Sequence, residues 1–188
     1  MSGDFALGIT RSIGGQGWRW RRASADVASE GLNPDDLVTQ LLLARGVERS
    51  DLDRHRAPSL RAFMPDPSIF QDMDRAAIRL ADAVEAGETL TIFGDYDVDG
   101  ATSAALLVRL LRQLGLDPDA YIPDRLMEGY GPSGAALVRL GQAGSRLIVT
   151  VDCGAQAFEA IAEASAAGIE VIVVDHHQCA TKLPDGYA

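Results

Sequence analysis

The sequence predicts an α/β fold, a parallel sheet flanked by helices and preceded by a small helical N-terminal segment. Three observations carry this prediction. From Thr89 onward, short Val- and Ile-rich runs alternate with stretches of helical periodicity. Those runs are apolar at consecutive positions, as strands covered on both faces require. Finally, 47% of the 188 residues are hydrophobic and 23% charged, which is enough apolar material for a packed core.

Residues 1–30 mix Gly, Arg and Trp (Gly14-Gly15-Gln16-Gly17-Trp18-Arg19-Trp20-Arg21-Arg22) without periodicity. They read as an irregular, solvated arm with one or two tryptophans buried. Residues 31–87 read as a helical segment. Asn33-Pro34 sets a cap before a first-turn proline, and Asp35 and Asp36 favour the positive end of a helix. Leu37, Leu41 and Leu42 form its apolar stripe and Gly46 ends it. Pro58, Pro65 and Pro67 interrupt the stretch after it. A second helix is expected over residues 72–86, with Met73, Ala76, Ala77, Leu80 and Val84 on one face and Gly87 as its stop. Residues 88–188 form the α/β domain. Strands are expected at 89–93, 120–122, 146–151 and 169–174, and helices at 101–114, 133–143 and 155–167.

Composition narrows the function. With 17 basic and 27 acidic residues the net charge is −10, which argues against coating nucleic acid by bulk attraction. An enzyme that meets phosphates through metal ions remains compatible, since clustered carboxylates would supply part of that charge. No apolar run approaches the ~18 residues of a membrane-spanning helix, and the opening MSGDFALGIT lacks a basic region ahead of an apolar stretch. Cys153 and Cys179 make no C-x-x-C pattern and read as small packing residues. A cytoplasmic setting without membrane association is expected.

Where the polar residues fall is more telling. The first strand runs into Gly94-Asp95-Tyr96-Asp97-Val98-Asp99-Gly100, the third into Asp152-Cys153-Gly154, and the fourth into Asp175-His176-His177. Parallel strands point their C-terminal ends to one edge, where open α/β sheets bind ligands. Five aspartates and two histidines would therefore share one rim, a crowding that divalent cations relieve. Asp and His donors without thiolate suit Mn²⁺, Mg²⁺ or a similar ion. A carboxylate shared by two ions would build a two-metal centre able to activate water and clamp a phosphoryl group. Neighbouring His176 and His177 point different ways, so one is expected to ligate metal and the other to bind phosphate or orient its partner. His55, between Arg54 and Arg56, reads as a surface residue.

Other assignments fit less well. Asp95-x-Asp97-x-Asp99-Gly100 imitates a calcium loop, yet Leu106 stands where that loop needs a bidentate Glu. Aspartates after strands often only cap helices, which does not explain three such motifs at one edge. No phosphate-binding glycine loop with lysine is present; the one lysine is Lys182. An aspartyl-nucleophile phosphatase would use Asp95 and Asp97 but leaves Asp175-His176-His177 without a role.

Gly94–Gly100 with Ala101-Thr102-Ser103, Glu128-Gly129-Tyr130-Gly131, Val151-Asp152-Cys153-Gly154 and Asp175-His176-His177 together resemble the four ordered motifs of the DHH phosphoesterase superfamily. Phe93 stands where other branches carry a histidine, so the chain looks like the RecJ-type branch, exonucleases specific for single-stranded DNA. The resemblance extends from about Asn33 to the C-terminus. It implies metal ligation by Asp97, Asp99, His176 and a bridging Asp152, with Asp95 a further ligand or close supporter. It also implies a phosphate-contacting His177, a ligand-orienting Asp175, and a substrate-facing segment of Arg125, Glu128, Gly129 and Tyr130. The implied chemistry is two-metal hydrolysis of DNA phosphodiesters, 5′ to 3′, with Mn²⁺ or Mg²⁺ as cofactor. The implied setting is recombination and repair, with single-stranded DNA and a single-strand-binding protein as partners. Members of the family continue past the equivalent of Ala188, which lies eleven residues after His177, into a further ligand, a second lobe and a binding barrel. The domain is therefore expected to be incomplete at its C-terminus, with weak metal binding and little or no processive activity on its own. A phosphodiesterase for short oligonucleotides or dinucleotides, and a non-catalytic binding module of the same fold, are the alternatives.

Overall fold

A computed structural model describes Phe5, residues 8–19 and residues 36–188. The chain divides into two compact units, Met1–Asp66 and Pro67–Ala188.

In the first unit, Trp18 N–H donates to Ile9 O at 2.9 Å and Ser12 N–H to Gln16 O at 2.8 Å, closing a tight turn. Trp18 remains 49% exposed, so the expected burial of a tryptophan is not met at this position. Trp20 and the expected cap Asn33-Pro34-Asp35 lie outside the described residues. Helix α1 (Leu37–Ala44) starts instead from Asp36, whose carboxylate accepts the Thr39 N–H at 3.2 Å. Arg56, ending α2 (Leu52–Arg56), bonds both that carboxylate and the Thr39 hydroxyl. Drawing Thr39 inward turns the helix: Leu43 is buried with Leu52, Leu42 and Val47 pack beside them, and the expected stripe residues Leu37 and Leu41 are exposed. Ser59 starts the single turn α3 (Leu60–Phe63). His55 is half-buried, not a plain surface residue. Its ring meets Phe63 edge-on at 4.9 Å and its Nδ1 lies 2.9 Å from Asp51 O.

The second unit opens with α4 (Met73–Ala86), closed by Gly87 at φ 63°, a left-handed conformation glycine adopts without cost. Its inner face holds Ala83 and, unexpectedly, Arg79, while Ala77 is exposed. Arg79 donates from Nε to Glu170 and from its terminal nitrogen to Glu88, each at 2.7 Å. The Glu88 hydrogen bond holds the guanidinium pKa up against burial. Arg79→Met is expected to lower stability by about 1–2 kcal/mol, since it strands two half-solvated carboxylates. Urea unfolding should show a reduced midpoint at unchanged slope.

The sheet comprises β1 (Leu90–Gly94), β2 (Asp119–Tyr121), β3 (Leu147–Val151) and β4 (Glu170–Val174), in the order β2-β1-β3-β4 and parallel throughout. Helices α5 (Val98–Gln113), α6 (Gly134–Gln142) and α7 (Phe158–Ala166) connect them. Alternate strand residues sort the two cores. Leu90, Ile92, Leu147, Val149 and Ile172 pack with α4 and α5, and Phe93, Ile148 and Val171 with α6 and α7. Every residue of β1 and β3 is buried, the threonines Thr91 and Thr150 included, as their largely apolar runs predict. Tyr187 N–H donates to Val171 O at 2.7 Å, and Ala188 O accepts from Val173 at 2.9 Å, so the last residues line the outer edge of β4. Cys153 is buried in the second core as expected; Cys179, beyond β4, is exposed, against the packing role expected of it.

Two features position the site. Chain order reverses between β1 and β3, the switch point where the loops after the strands part to leave a crevice. Secondly, α5 begins at Val98, three residues before the expected Ala101, because Asp97 caps it. That shortens the acidic loop.

Candidate metal centre

The β1–β3 and β3–β4 ladders run on into the candidate ligands. Asp95 N–H donates to Val151 O at 3.3 Å and Asp152 N–H to Val174 O at 2.9 Å. Two acidic side chains are thereby buried at the sheet's C-terminal edge, Asp95 at 2% exposure and Asp152 at 4%. Asp97 is exposed, and its Oδ1 accepts the Gly100 N–H at 3.0 Å. That bond holds its pKa below the ordinary carboxylate value. Asp152 shifts the opposite way: burial, then the neighbouring Asp97 carboxylate, push its pKa up. Its backbone is left-handed at φ 61°, a conformation that aspartate and asparagine tolerate better than most residues.

Ligand-competent atoms of Asp95, Asp97 and Asp152 all lie within 4.8 Å of one another, as do those of Asp152, His176 and His177. Asp152 belongs to both triads. Its Oδ1 lies 2.9 Å from His176 Nε2. Its Oδ2, and Asp95 Oδ1, are buried with no hydrogen-bond partner. Desolvated carboxylate oxygens are costly without a donor or cation, and three converging carboxylates compound the cost. Divalent cations fit this donor set of carboxylates and imidazole. The nearby thiol is no competitor, because Cys153 Sγ faces Val151 O at 3.5 Å and burial pushes its pKa up to about 12.

Asp175 holds the second histidine. Its Oδ2 accepts the Ala155 N–H at 2.9 Å, and its Oδ1 accepts the His177 N–H at 3.0 Å and meets His177 Nδ1 at 2.8 Å. Burial raises the Asp175 pKa, but these bonds more than offset it and the net shift is downward. The same carboxylate raises the His177 pKa. The Tyr130 hydroxyl lies 3.3 Å from both His177 Nδ1 and Asp152 O, and burial pushes its pKa up to about 12.

Two expected residues sit differently. Asp99 is exposed in the first turn of α5 and is a member of neither triad. The Glu128 carboxylate is engaged by the Tyr121 hydroxyl at 2.6 Å, the Asp124 N–H at 3.1 Å and Arg139 at 3.3 Å. It braces its own loop, whose turn uses Gly129 at φ 81°. Arg125 lies over the Tyr96 ring, its guanidinium carbon 4.9 Å from the centroid. Tyr121 and Arg139 do not stand out in the sequence, because a brace of side chains from separate elements leaves no spacing signal. Tyr96 is legible there only as the residue between two aspartates.

Among the described residues no helix is long and apolar enough to cross a membrane. Residues 89–188 match the DHH family, N-terminal domain. The chain is 36% identical over 171 residues to the single-stranded-DNA-specific exonuclease RecJ of Bacillus subtilis, covering 89% of this chain and 22% of that protein. To RecJ of Thermus thermophilus it is 42% identical over 143 residues, covering 76% of this chain and 20% of that one. A crystal structure of exonuclease RecJ bound to manganese superposes with a TM-score of 0.56 at 42% identity, over 60% of this chain and 29% of that one. RecJ of T. thermophilus in complex with Mn²⁺ gives 0.56 at 31% identity, over 86% and 22%. The chain thus spans about a fifth of the length of the two RecJ sequences. With more than half of its length matched by the family model, the chain belongs to the DHH family.

Proposed function

We propose that the two triads hold a pair of divalent cations, Mn²⁺ or Mg²⁺, for hydrolysis of phosphodiester bonds in single-stranded DNA. The observation that carries this reading is Asp152, common to both triads, with one buried oxygen toward His176 and the other without a partner. In this reading Asp95 and Asp97 complete one cation's donors and His176 the other's, while Asp99, exposed in the first turn of α5, belongs to neither triad. Cations bound there would supply Lewis-acid polarisation of a phosphoryl oxygen and lower the pKa of water.

The chain's own residues do the remaining work. The backbone of Asp152 fixes its carboxylate between the two triads. Asp175 orients the His177 ring, and Tyr130 borders it, so a proton on His177 can face a phosphate oxygen. The relatives support the substrate class, being named single-stranded-DNA-specific exonucleases, and the solved ones support the metal. Action from 5′ to 3′ in recombination and repair, in the cytoplasm and beside a single-strand-binding protein, belongs to the same reading.

Calorimetric titration of the chain with Mn²⁺ is expected to show uptake of two ions. Release of mononucleotides from end-labelled single strands should be slow and non-processive for this chain, Mn²⁺-dependent and chelator-sensitive, and should spare duplex DNA. Absence of Mn²⁺ uptake overturns the reading. Hydrolysis confined to dinucleotides and the shortest oligomers would assign the short-oligonucleotide activity in its place.

A further inference from the structure

The acidic rim creates a difficulty that the metal ligands alone do not resolve. A chain of net charge −10 must bring a polyanion to a crevice lined with carboxylates. Arg125 is suited to this task. Among the described residues it forms no salt bridge or hydrogen bond, and its guanidinium is carried on the face of Tyr96. Tyr96 lies between Asp95 and Asp97, so its ring is one residue from two members of a triad. The ring is itself supported: Tyr130 meets it edge-on at 6.4 Å, and Tyr130 is fixed in turn by contacts with Asp152 O and His177. The Tyr96 hydroxyl has no hydrogen-bond partner among the described residues, so the ring face is what it contributes.

We infer that Tyr96 is a positioning residue, its ring seating the Arg125 guanidinium at the rim of the metal centre so that a phosphate of the oligonucleotide meets a cation already held in place. An unsupported arginine must lose its rotamer freedom when it binds, whereas one stacked on an aromatic face has surrendered much of it beforehand. Stacking also leaves the planar donor edge free for paired bonds to phosphate oxygens. The inference deepens the nucleic-acid reading proposed above and rests on it.

Anisotropy of a labelled phosphorothioate oligothymidylate, which resists turnover, tests the inference on the 188-residue chain with saturating Mn²⁺. Tyr96→Leu should weaken binding about fivefold, the scale of a lost cation–π contact. Tyr96→Phe, which keeps the ring face, should restore wild-type affinity. Arg125→Ala should lose at least as much as Tyr96→Leu, and the double variant no more than Arg125→Ala alone, because the ring acts only through the arginine. Mn²⁺ uptake should be equal in all of them. Additive losses in the double variant, a Phe variant as weak as Leu, or reduced Mn²⁺ uptake in Tyr96→Leu would each overturn the inference. A wild-type chain that takes up Mn²⁺ but binds no oligonucleotide sinks the nucleic-acid reading, and the inference with it.

Discussion

Asp152→Asn is expected to raise the melting temperature of the metal-free chain and lower it relative to wild type once Mn²⁺ is added. The carboxylate is buried, its Oδ2 lacks a partner, and burial with the adjacent Asp97 pushes its pKa up. A carboxyl whose folded pKa exceeds its unfolded one is destabilising where it is ionised, so removing the charge relieves the folded state at neutral pH. Asparagine keeps the left-handed backbone and an oxygen to face His176. A gain of about 2–4 °C in chelator corresponds to roughly 1 kcal/mol for a chain of this size. With Mn²⁺ the order reverses, because wild type gains ligand-binding stabilisation while the variant lacks the oxygen common to both triads. Loss of a ligand-supporting residue typically costs 10–100-fold in metal affinity, so loss of a shared ligand should exceed about 100-fold and abolish hydrolysis. Calorimetric melting with and without Mn²⁺ reads both halves. A variant that melts lower than wild type in chelator, or binds Mn²⁺ as well, contradicts the assignment.

The strands were legible in the sequence because β1 and β3 lie at the sheet centre and are apolar at nearly every position. The shared edge then follows from the residues that end them, and the DHH-family resemblance adds the roles. What the sequence could not show is geometry that depends on a cap or a partner. Asp97 was legible as an acidic residue after a strand, yet whether it caps a helix depends on its bond to Gly100, and that bond starts α5 early enough to place Asp99 in its first turn. Arg79 and Thr39 counted as polar by pattern, but Glu88 with Glu170, and Arg56, supply the partners that let them turn inward. Likewise Glu128 looked free to meet substrate, whereas Tyr121 and Arg139, from β2 and α6, engage it. In the last three cases a hydrogen bond between side chains that local periodicity does not relate decides the outcome, whereas Asp97 turns on a cap bond three residues away.

Gly100→Ala sets helix propensity against packing, and packing should win. Gly100 is the third residue of α5, where alanine would ordinarily gain about 0.8–1.0 kcal/mol over glycine. A Cβ at this position would stand 2.5 Å from both N and O of Asp95 and 2.7 Å from its carbonyl carbon. These are backbone atoms tied to β3 through the Asp95–Val151 bond, so no side-chain rotation opens space. Overpacking of this kind costs about 1–3 kcal/mol and at times more, so a net loss of about 1–2 kcal/mol is expected where propensity alone foretells a gain. The function should suffer more than the fold. The cheapest relief is for the first turn of α5 to lift from β1, which carries Asp97 away from Asp95 and Asp152 and dismantles one triad while leaving Asp152, His176 and His177 in place. Mn²⁺ titration of this variant should therefore lose one uptake step and keep the other. Wild-type stability would show that the helix start yields freely, and unchanged two-ion uptake that the close approach of Gly100 to Asp95 is not what holds the triad.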